Sequence, residues 1–183
     1  MDYEERGHIY SDHGKIIPSV TSILNPPSSK SWYTHGSDKR GILAHERCAA
    51  YALQPKGFPY EAYVDAFALW CFKHNPKWIA IEEIIDGEID GLRYAGRLDG
   101  LAEIRGKLTL VDWKTGVKAK YHHAQVGAYS IVKKPSQGLV LYLHDDMTYT
   151  EDWMSPGELV AGIQEFRGKI KEYYAVRQAE TSA

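Results

Sequence analysis

Apolar side chains in the first half of the chain recur at helical spacing in two segments. In residues 38–53 such positions recur every three or four residues. This spacing places four side chains on one helix face, namely His45, Cys48, Ala49 and Ala52. Ser37 precedes this segment as a candidate N-cap. Residues 60–74 form a second amphipathic pattern, whose in-phase positions are Tyr63, Ala66, Phe67 and Trp70. The spacing therefore predicts two helices.

The chain ahead of these helices carries few periodic apolar positions. Residues 1–35 are rich in Ser, Pro, Gly and His, which predicts irregular structure. One short helix is predicted from Pro18 to Leu24, and Asn25-Pro26-Pro27 ends it. Residues 1–77 are thus expected to form a helical N-terminal region.

From Trp78 onwards the apolar positions become dense in β-branched residues, as is typical of strands. Hairpin-turn dipeptides separate three such segments, which are residues 79–89, 92–104 and 107–114. The dipeptides are Asp90-Gly91 and Arg105-Gly106. This arrangement predicts an antiparallel three-stranded meander.

The rest of the chain alternates between helical and strand patterns. A helix is predicted at residues 121–133, and strands follow near 138–144 and 148–153. The residues Ser155-Pro156-Gly157-Glu158 form a capping box that opens a final helix, which is expected to reach about Arg177.

This order of elements predicts one α/β (α+β) domain that covers residues 1–183. Its core is a central mixed sheet at residues 78–154, which contains the meander and is flanked by helices, and the C-terminal helix occupies 155–177. A chain of 183 residues with 44% hydrophobic side chains is long enough for one substantial core. The two cysteines, Cys48 and Cys71, are expected to pack as small apolar residues rather than to bridge or to bind zinc.

Targeting signals are missing from the sequence as it stands. The first residues are acidic and polar, and no apolar run approaches the roughly 20 residues needed to cross a bilayer. We therefore expect a soluble, cytoplasmic protein of a bacterial or phage-infected cell, without a membrane partner.

The charge distribution is more informative than the formal net charge of −2, which gives no bulk support for nucleic-acid binding. Residues 113–144 contain no Asp or Glu. Their basic side chains are Lys114, Lys118, Lys120, Lys133 and Lys134, together with His122, His123 and His144. Taken alone, such a run is most simply a solvated basic face.

Candidate chemistry lies where the third meander strand ends. Strand alternation places Asp112 and Lys114 on one face, and the neighbouring strand carries Asp99 among apolar residues. Two carboxylates that converge from adjacent strands repel each other unless a cation lies between them, and oxygen ligands suit Mg²⁺ or Mn²⁺. Such an ion can hold a phosphate and lower the pKa of a bound water. Lys114 would stabilise developing negative charge, or position and deprotonate that water.

The simpler alternative is a turn cap at Asp99 and a surface ion pair between Asp112 and Lys114.

These residues resemble the PD-(D/E)XK nuclease superfamily, in which an Asp on one strand precedes an Asp/Glu-x-Lys on the next. Here the motif reads Asp99 and Asp112-Trp113-Lys114. The segment from Gly41 to His45 is similar to the helix motif of the RecB-like exonuclease branch, which ends in a metal-binding His. Gln125-Val126-Gly127-Ala128-Tyr129 is similar to the QxxxY motif of that branch. The opening Ile17-Pro18-Ser19-Val20-Thr21-Ser22-Ile23-Leu24 also looks like its phage and mitochondrial genome-maintenance exonucleases.

The resemblance implies a restriction-endonuclease-like core and a set of site residues. The implied ligands of Mg²⁺ or Mn²⁺ are His45, Glu82, Asp99 and Asp112, and the implied catalytic residues are Asp99, Asp112, Lys114, Gln125 and Tyr129. Alternation lets only one of Glu82 and Glu83 face the site, and we favour Glu82. Two features of other members are absent from the sequence, the four-cysteine iron–sulfur cluster and an ATP-binding loop.

The implied function is a metal-dependent DNA exonuclease that favours single-stranded or frayed ends. Basic residues after the Lys strand would contact DNA, namely Lys118, Lys120, His122 and His123. Aromatic side chains of the N-terminal region are candidates for base stacking, namely Trp32, Tyr33, Tyr51, Tyr60 and Tyr63.

Three alternatives stay open. A structure-specific or restriction-type endonuclease would use the same residues. A catalytically silent nucleic-acid-binding module is disfavoured by the intact Asp99, Asp112 and Lys114. A zinc-binding interaction domain is disfavoured because no metal-like spacing links the cysteines to the histidines.

Overall fold

A five-stranded mixed sheet between two layers of helices forms the centre of the computed structural model, which describes residues 2–4, 9–25, 35–56 and 61–181. The strands are β4 (Lys77–Ile89), β5 (Leu92–Ile104), β6 (Lys107–Lys114), β7 (Gln137–Leu143) and β8 (Tyr149–Met154), in that spatial order. All neighbouring pairs are antiparallel except β6 and β7, which are parallel. The predicted α/β class and mixed sheet are therefore confirmed.

The meander of β4, β5 and β6 matches its predicted bounds within two residues. Its two turns place all four central residues at positive φ, with values of 54° at Asp90, 76° at Gly91, 51° at Arg105 and 74° at Gly106. Two-residue hairpins with the right-handed strand twist require this conformation, which explains why Asx-Gly and Xaa-Gly dipeptides mark them.

Within the described residues, five helices cover the two faces of the sheet: α1 (Val20–Leu24), α2 (His35–Leu53), α3 (Ala62–His74), α4 (His122–Lys133) and α5 (Pro156–Thr181). One core cluster joins α1, α4 and α5 to sheet residues such as Leu98, Leu110 and Val140. A second cluster joins α2 and α3 to alternate sheet residues such as Val111 and Leu141. Because successive strand residues point to opposite faces, the sheet is buried on both sides.

Helix α4 forms the crossover between the parallel strands β6 and β7, and its position depends on a contact with α5. A Cβ atom added at Gly127 would lie 2.4 Å from the carbonyl carbon of Gly162. The two helix backbones therefore touch, and only glycine fits at the crossing. Gly127 belongs to the segment that carries Gln125 and Tyr129, so this contact fixes where those side chains stand.

The expectation of irregular structure in residues 1–35 is wrong for part of that segment. Strands β1 (Asp2–Glu4), β2 (Ile9–Asp12) and β3 (Lys15–Ile17) form a small antiparallel sheet. A two-residue turn joins β2 and β3, with φ of 48° at His13 and 76° at Gly14. Such short strands leave too few alternating positions for a recognisable pattern. The backbone N–H of Ala95 donates to the carbonyl oxygen of Pro18 at 3.0 Å, which attaches this segment to β5.

Several helix bounds differ from their predictions. Helix α2 begins at His35, so Ser37 lies inside it rather than at its N-cap. Helix α5 continues to Thr181. The predicted start of α3 at Tyr60 lies outside the described residues. Helix α1 is confirmed, and the Ser19 side chain caps it by accepting a hydrogen bond of 3.0 Å from the Ser22 backbone N–H.

Two further expectations concern membrane segments and cysteines. None of the helices in the described ranges combines the length and apolarity needed to cross a bilayer. Cys48 and Cys71 are free thiols that pack in or against the α2 and α3 core, as predicted.

Candidate active site

The candidate site opens where the pairing of β5 with β6 stops. The paired residues run from Ile104 and Lys107 to Gly100 and Val111. One residue further on, the Asp99 carboxylate takes the place of a strand partner, and its Oδ2 accepts a hydrogen bond of 2.9 Å from the backbone N–H of Trp113. The diverging strands leave room for charged side chains at this point.

Asp99, Asp112 and Lys114 converge at this opening, as their spacing predicted. The Lys114 Nζ atom lies 2.7 Å from Asp112 Oδ2 and 4.0 Å from Asp99 Oδ2. Asp112 is completely buried and Asp99 is 7% exposed. The surface ion pair considered as an alternative is thus excluded, since both carboxylates are interior groups.

The electrostatics of the three groups follow from burial and proximity. Burial raises the pKa of Asp112, an effect that the Lys114 ammonium offsets in part. Burial also opposes ionisation of Asp99, but His45, Lys114 and the Trp113 N–H together hold its pKa below the usual range. Burial lowers the pKa of Lys114, but Asp112 and Asp99 outweigh this and hold it above its usual range. The structure therefore favours a protonated Lys114 beside an ionised Asp99.

His45 and Glu82 lie close to Asp99 on the wall of the same cavity. His45 projects from α2, and its Nδ1 lies 3.4 Å from Asp99 Oδ1. One potential ligand atom from each of His45, Glu82 and Asp99 lies within 4.8 Å of the other two. Asp112 is not part of this group of three among the described residues. The four predicted ligands therefore divide into this group and a buried Asp112 paired to Lys114.

Glu82, rather than Glu83, faces the site. The Glu83 carboxylate points to α4, where Lys133 Nζ binds its Oε1 at 2.6 Å. Glu82 has a φ of 50°, which is unusual for a non-glycine residue in a strand. Burial raises the pKa of Glu82 to about 7, with a further contribution from the Asp99 charge. A nearby cation would favour the ionised form of this carboxyl.

The donor set is suited to a hard divalent cation. Glu82 Oε1 and Asp112 Oδ1 are buried and accept no hydrogen bond from the described residues. Buried carboxylate oxygens without a partner are costly, and a bound Mg²⁺ or Mn²⁺ is one means of satisfying them. The residues present therefore fit such an ion.

Gln125 and Tyr129 stand on the α4 side of the same opening. Gln125 Nε2 donates to the Tyr129 hydroxyl oxygen at 3.3 Å, which confirms that the i, i+4 pair shares a helix face. Tyr129 is 2% exposed and its ring lies against Gly96, where a Cβ atom would approach within 2.8 Å. Gln125 is half-buried and lines the cavity.

A cavity of about 460 Å³ joins these groups to the N-terminal segment. Its walls include Asp99, Lys114 and Gln125 on the sheet and α4 side, and Ser19, Thr21 and Ser22 around α1. Sequence reasoning assigned no role to this hydroxyl-rich wall. It also missed Arg97, which lines the cavity two residues before Asp99.

The proposed DNA-contacting residues have different surroundings. Lys118 Nζ and His123 Nε2 both approach Asp152 Oδ2 of β8, at 2.6 Å and 2.9 Å. The acid-free run is thus partly neutralised by an acid from a later strand. Lys120 is exposed. His122 is buried, and burial lowers its pKa to about 4, so it supplies no positive charge at neutral pH.

The candidate stacking aromatics are mainly packing residues where they are described. Tyr51 and Tyr63 are half-buried against the α2 and α3 core, and Tyr51 meets Phe67 edge to face with ring centroids 6.2 Å apart. Trp32, Tyr33 and Tyr60 lie outside the described residues.

His122 predicts an acid-sensitive element of stability. Its Nδ1 accepts hydrogen bonds from the Ala119 N–H at 3.4 Å and from the Tyr142 hydroxyl at 2.9 Å, so protonation of that atom is disfavoured. The folded pKa of about 4 lies below the usual 6.5, so the unfolded chain binds the proton first. The stability from this residue is fully present above about pH 6.5 and is lost as the pH falls towards 4.

The expected loss is at most about 1.4 kcal/mol per pH unit for one proton. Urea unfolding across this range should show a flatter pH dependence for His122→Gln than for the unaltered chain. His13→Gln, at an exposed position, serves as the control. Parallel curves for His122→Gln and the unaltered chain would contradict the assignment.

Comparisons with known proteins give a fold likeness. No family model and no curated protein match the chain. The crystal structure of SSO0001 superposes with a TM-score of 0.50 at 17% identity, covering 89% of this chain and 79% of that one. An alkaline exonuclease, LHK-Exo from Laribacter hongkongensis, gives 0.44 at 14% identity, covering 91% and 95%. LHK-Exo in complex with dAMP gives 0.39 at 17% identity, covering 90% and 92%. At these identities, the similarity to SSO0001 indicates a shared fold and no particular chemistry.

Proposed function

We propose that this protein is a metal-dependent DNA exonuclease of the PD-(D/E)XK type and RecB-like branch that favours single-stranded or frayed ends. The observation that carries the proposal is the convergence of buried Asp99 and Asp112 with Lys114, next to a cavity that Asp99, Lys114, His45 and Glu82 line together. Desolvation offsets much of the attraction within a buried ion pair, and buried charged groups with shifted pKa values beside a cavity are typical of functional sites.

His45, Glu82, Asp99 and Asp112 would hold Mg²⁺ or Mn²⁺, which supplies an activated water and polarises the scissile phosphate. Lys114 is held protonated by two carboxylates, so we assign it the stabilisation of negative charge on the phosphate rather than the removal of a proton. Gln125 would donate an amide hydrogen bond to a phosphate oxygen or to the water. Tyr129 would act as a positioning residue that holds Gln125.

Lys118, Lys120 and His123 would guide the DNA backbone towards the cavity. Lys118 and Lys120 lie between β6 and α4, His123 lies in the first turn of α4, and the Lys118 side chain is 65% exposed. We leave His122 out of this group because it is buried and uncharged. Phosphate contacts of this kind contribute affinity rather than sequence preference.

The test is digestion of end-labelled linear and circular DNA, single- and double-stranded, with and without Mg²⁺ or Mn²⁺. An exonuclease degrades linear substrates from their ends, prefers single strands and leaves circles intact. Cleavage of circles would favour the endonuclease alternative. Binding without cleavage in either metal would favour the silent nucleic-acid-binding module and reject the proposed enzyme.

A further inference from the structure

Arg97 is a cavity residue that the proposed function leaves without a role. It lies on β5 two residues before Asp99, and it lines the same cavity as Lys114 and Gln125. Its Nε atom forms an ion pair with Glu82, 2.7 Å from Oε2, and its side chain is 26% exposed. Arg97 is thus a half-buried cation beside the proposed metal ligands, and its one contact to Glu82 engages only part of the guanidinium.

In the part of the chain that the structure describes, no partner is found for the terminal nitrogens of Arg97. A guanidinium carries five N–H donors, and among the described residues only the Nε contact to Glu82 is found for Arg97. Arg93, four residues earlier on β5, is bound differently. Its Nη1 donates to Asp12 at 2.8 Å and its Nη2 donates to Asp86 at 2.7 Å. Both terminal nitrogens of Arg93 thus bind carboxylates, whereas those of Arg97 have no such partner among the described residues.

Glu82 connects this arginine to the group of proposed metal ligands. Its Oε2 is in ion-pair contact with Arg97, while its Oε1 is buried without a hydrogen-bond partner among the described residues. A ligand atom of Glu82 also lies within 4.8 Å of those of His45 and Asp99. The two oxygens of one carboxylate therefore have separate uses, one towards Arg97 and one towards the cation position.

A left-handed backbone at Glu82 contributes to this arrangement. Its φ of 50° is disfavoured for a side chain longer than Asn or Asp, so tertiary contacts must hold it. On the opposite strand, Asp99 also departs from regular pairing, since its carboxylate takes the Trp113 N–H. Both irregularities occur where the two carboxylates face the cavity.

We propose that Arg97 binds a phosphate of the DNA strand in the active site through its Nη1 and Nη2 atoms, while Glu82 anchors its Nε. This inference rests on the proposed nuclease function. Arginine is suited to the role because its planar fork matches two phosphate oxygens, which the single ammonium of Lys114 does not. Because Glu82 contacts the arginine and also faces the cation position, any coupling between phosphate binding and metal binding is reciprocal.

The test measures binding without turnover. A fluorescein-labelled single-stranded oligonucleotide is titrated by anisotropy in Ca²⁺ instead of Mg²⁺, at several salt concentrations. Arg97→Gln is expected to weaken binding about tenfold or more, as for a lost charged hydrogen-bonded contact. The magnitude of the slope of log affinity against log salt concentration should also decrease by about 0.7. This is the change expected when the protein neutralises one phosphate fewer on a single strand and so releases fewer counterions. Arg93→Gln, on the same strand, should match the unaltered protein in both.

A second measurement separates contact with phosphate from support of the metal site. Mn²⁺ binding without DNA, followed by electron paramagnetic resonance, should stay within about threefold of the unaltered protein in Arg97→Gln. This retention is expected because Arg97 is no metal ligand and its loss leaves the Glu82 carboxylate free. Equal losses of Mn²⁺ and DNA affinity would overturn the proposal, since Arg97 would then act only by positioning Glu82.

The remaining outcomes distinguish the two proposals. If the unaltered protein cleaves DNA and Arg97→Gln binds it with the affinity and salt slope of Arg93→Gln, the Arg97 inference fails alone. If the unaltered protein neither binds nor cleaves DNA, both fail. Should Arg97→Gln not fold, Arg97→Lys replaces it, because lysine keeps the ion pair to Glu82 but has no free fork. Full DNA affinity in a folded Arg97→Lys would equally overturn the inference.

Discussion

Asp112→Asn is expected to lower metal-dependent DNA cleavage by at least about 10²-fold while the fold is retained, since even the outer partners of metal ligands are worth about 10–100-fold. Asp112 is fully buried; its Oδ2 is in ion-pair contact with Lys114, and its Oδ1 has no hydrogen-bond partner among the described residues. Asparagine keeps the shape of the side chain and an oxygen that can accept a hydrogen bond from Lys114. It removes the negative charge that the binding of a divalent ion requires.

The measurement is the initial rate of digestion of a labelled linear strand in Mg²⁺ and in Mn²⁺, with circular dichroism as the check on folding. Asp86→Asn is a matched control, because Asp86 lies on β4 of the same sheet and pairs with Arg93 away from the cavity. A folded Asp112→Asn protein that cleaves at the rate of Asp86→Asn would remove Asp112 from the mechanism.

Gly127→Val is expected to cause the largest loss of stability among single changes at the described glycines in helices. Its first added atom would lie 2.4 Å from the Gly162 backbone, and backbone cannot move aside as a flexible side chain can. Overpacking an ordinary core lowers the free energy of unfolding by about 1–3 kcal/mol. We expect a clash between two backbones to cost an amount at or above the upper end of this range. For a chain of this length, about 3 kcal/mol corresponds to a fall in Tm of roughly 6–12 °C.

Gly168→Ala on α5 is the control for this change, because a Cβ atom there meets nothing within 4 Å. Alanine is the better helix former by about 1 kcal/mol, so this variant should melt at the same or a higher temperature. Differential scanning calorimetry of both variants decides the matter. A Gly127→Val protein with the same Tm as the unaltered chain would mean that the backbones of α4 and α5 are not in contact.

The meander and the convergence of Asp99, Asp112 and Lys114 could be predicted because both depend on local rules. Dipeptides ending in Gly91 and Gly106 fix the two hairpins, and the hairpins fix which strand residues face each other. Once β5 and β6 are adjacent, a two-residue alternation is enough to bring Asp112 and Lys114 to one face. Long-range information was not needed for either conclusion.

Other parts of the site depend on contacts that the sequence does not encode locally. Asp152 lies 34 residues after Lys118 in the numbering, and only the pairing of β8 with β7 brings it next to that lysine. The left-handed backbone of Glu82 breaks the alternation on which strand predictions rely. Arg97 carried a usable signal, since it shares a strand face with Asp99 by spacing, but its open fork becomes visible only once Glu82 has been placed opposite it.

The hydrogen bond from the Trp113 backbone to Asp99 makes one part of this site resistant to mutation. The donor is a main-chain N–H, so replacing the indole by any side chain other than proline leaves that contact available. The side chain at position 113 can therefore be replaced to fit the core formed by α2 and α3 without loss of the hydrogen bond to the Asp99 carboxylate. Among the groups that hold Asp99 ionised, His45 and Lys114 remain the ones that amino-acid substitution can tune.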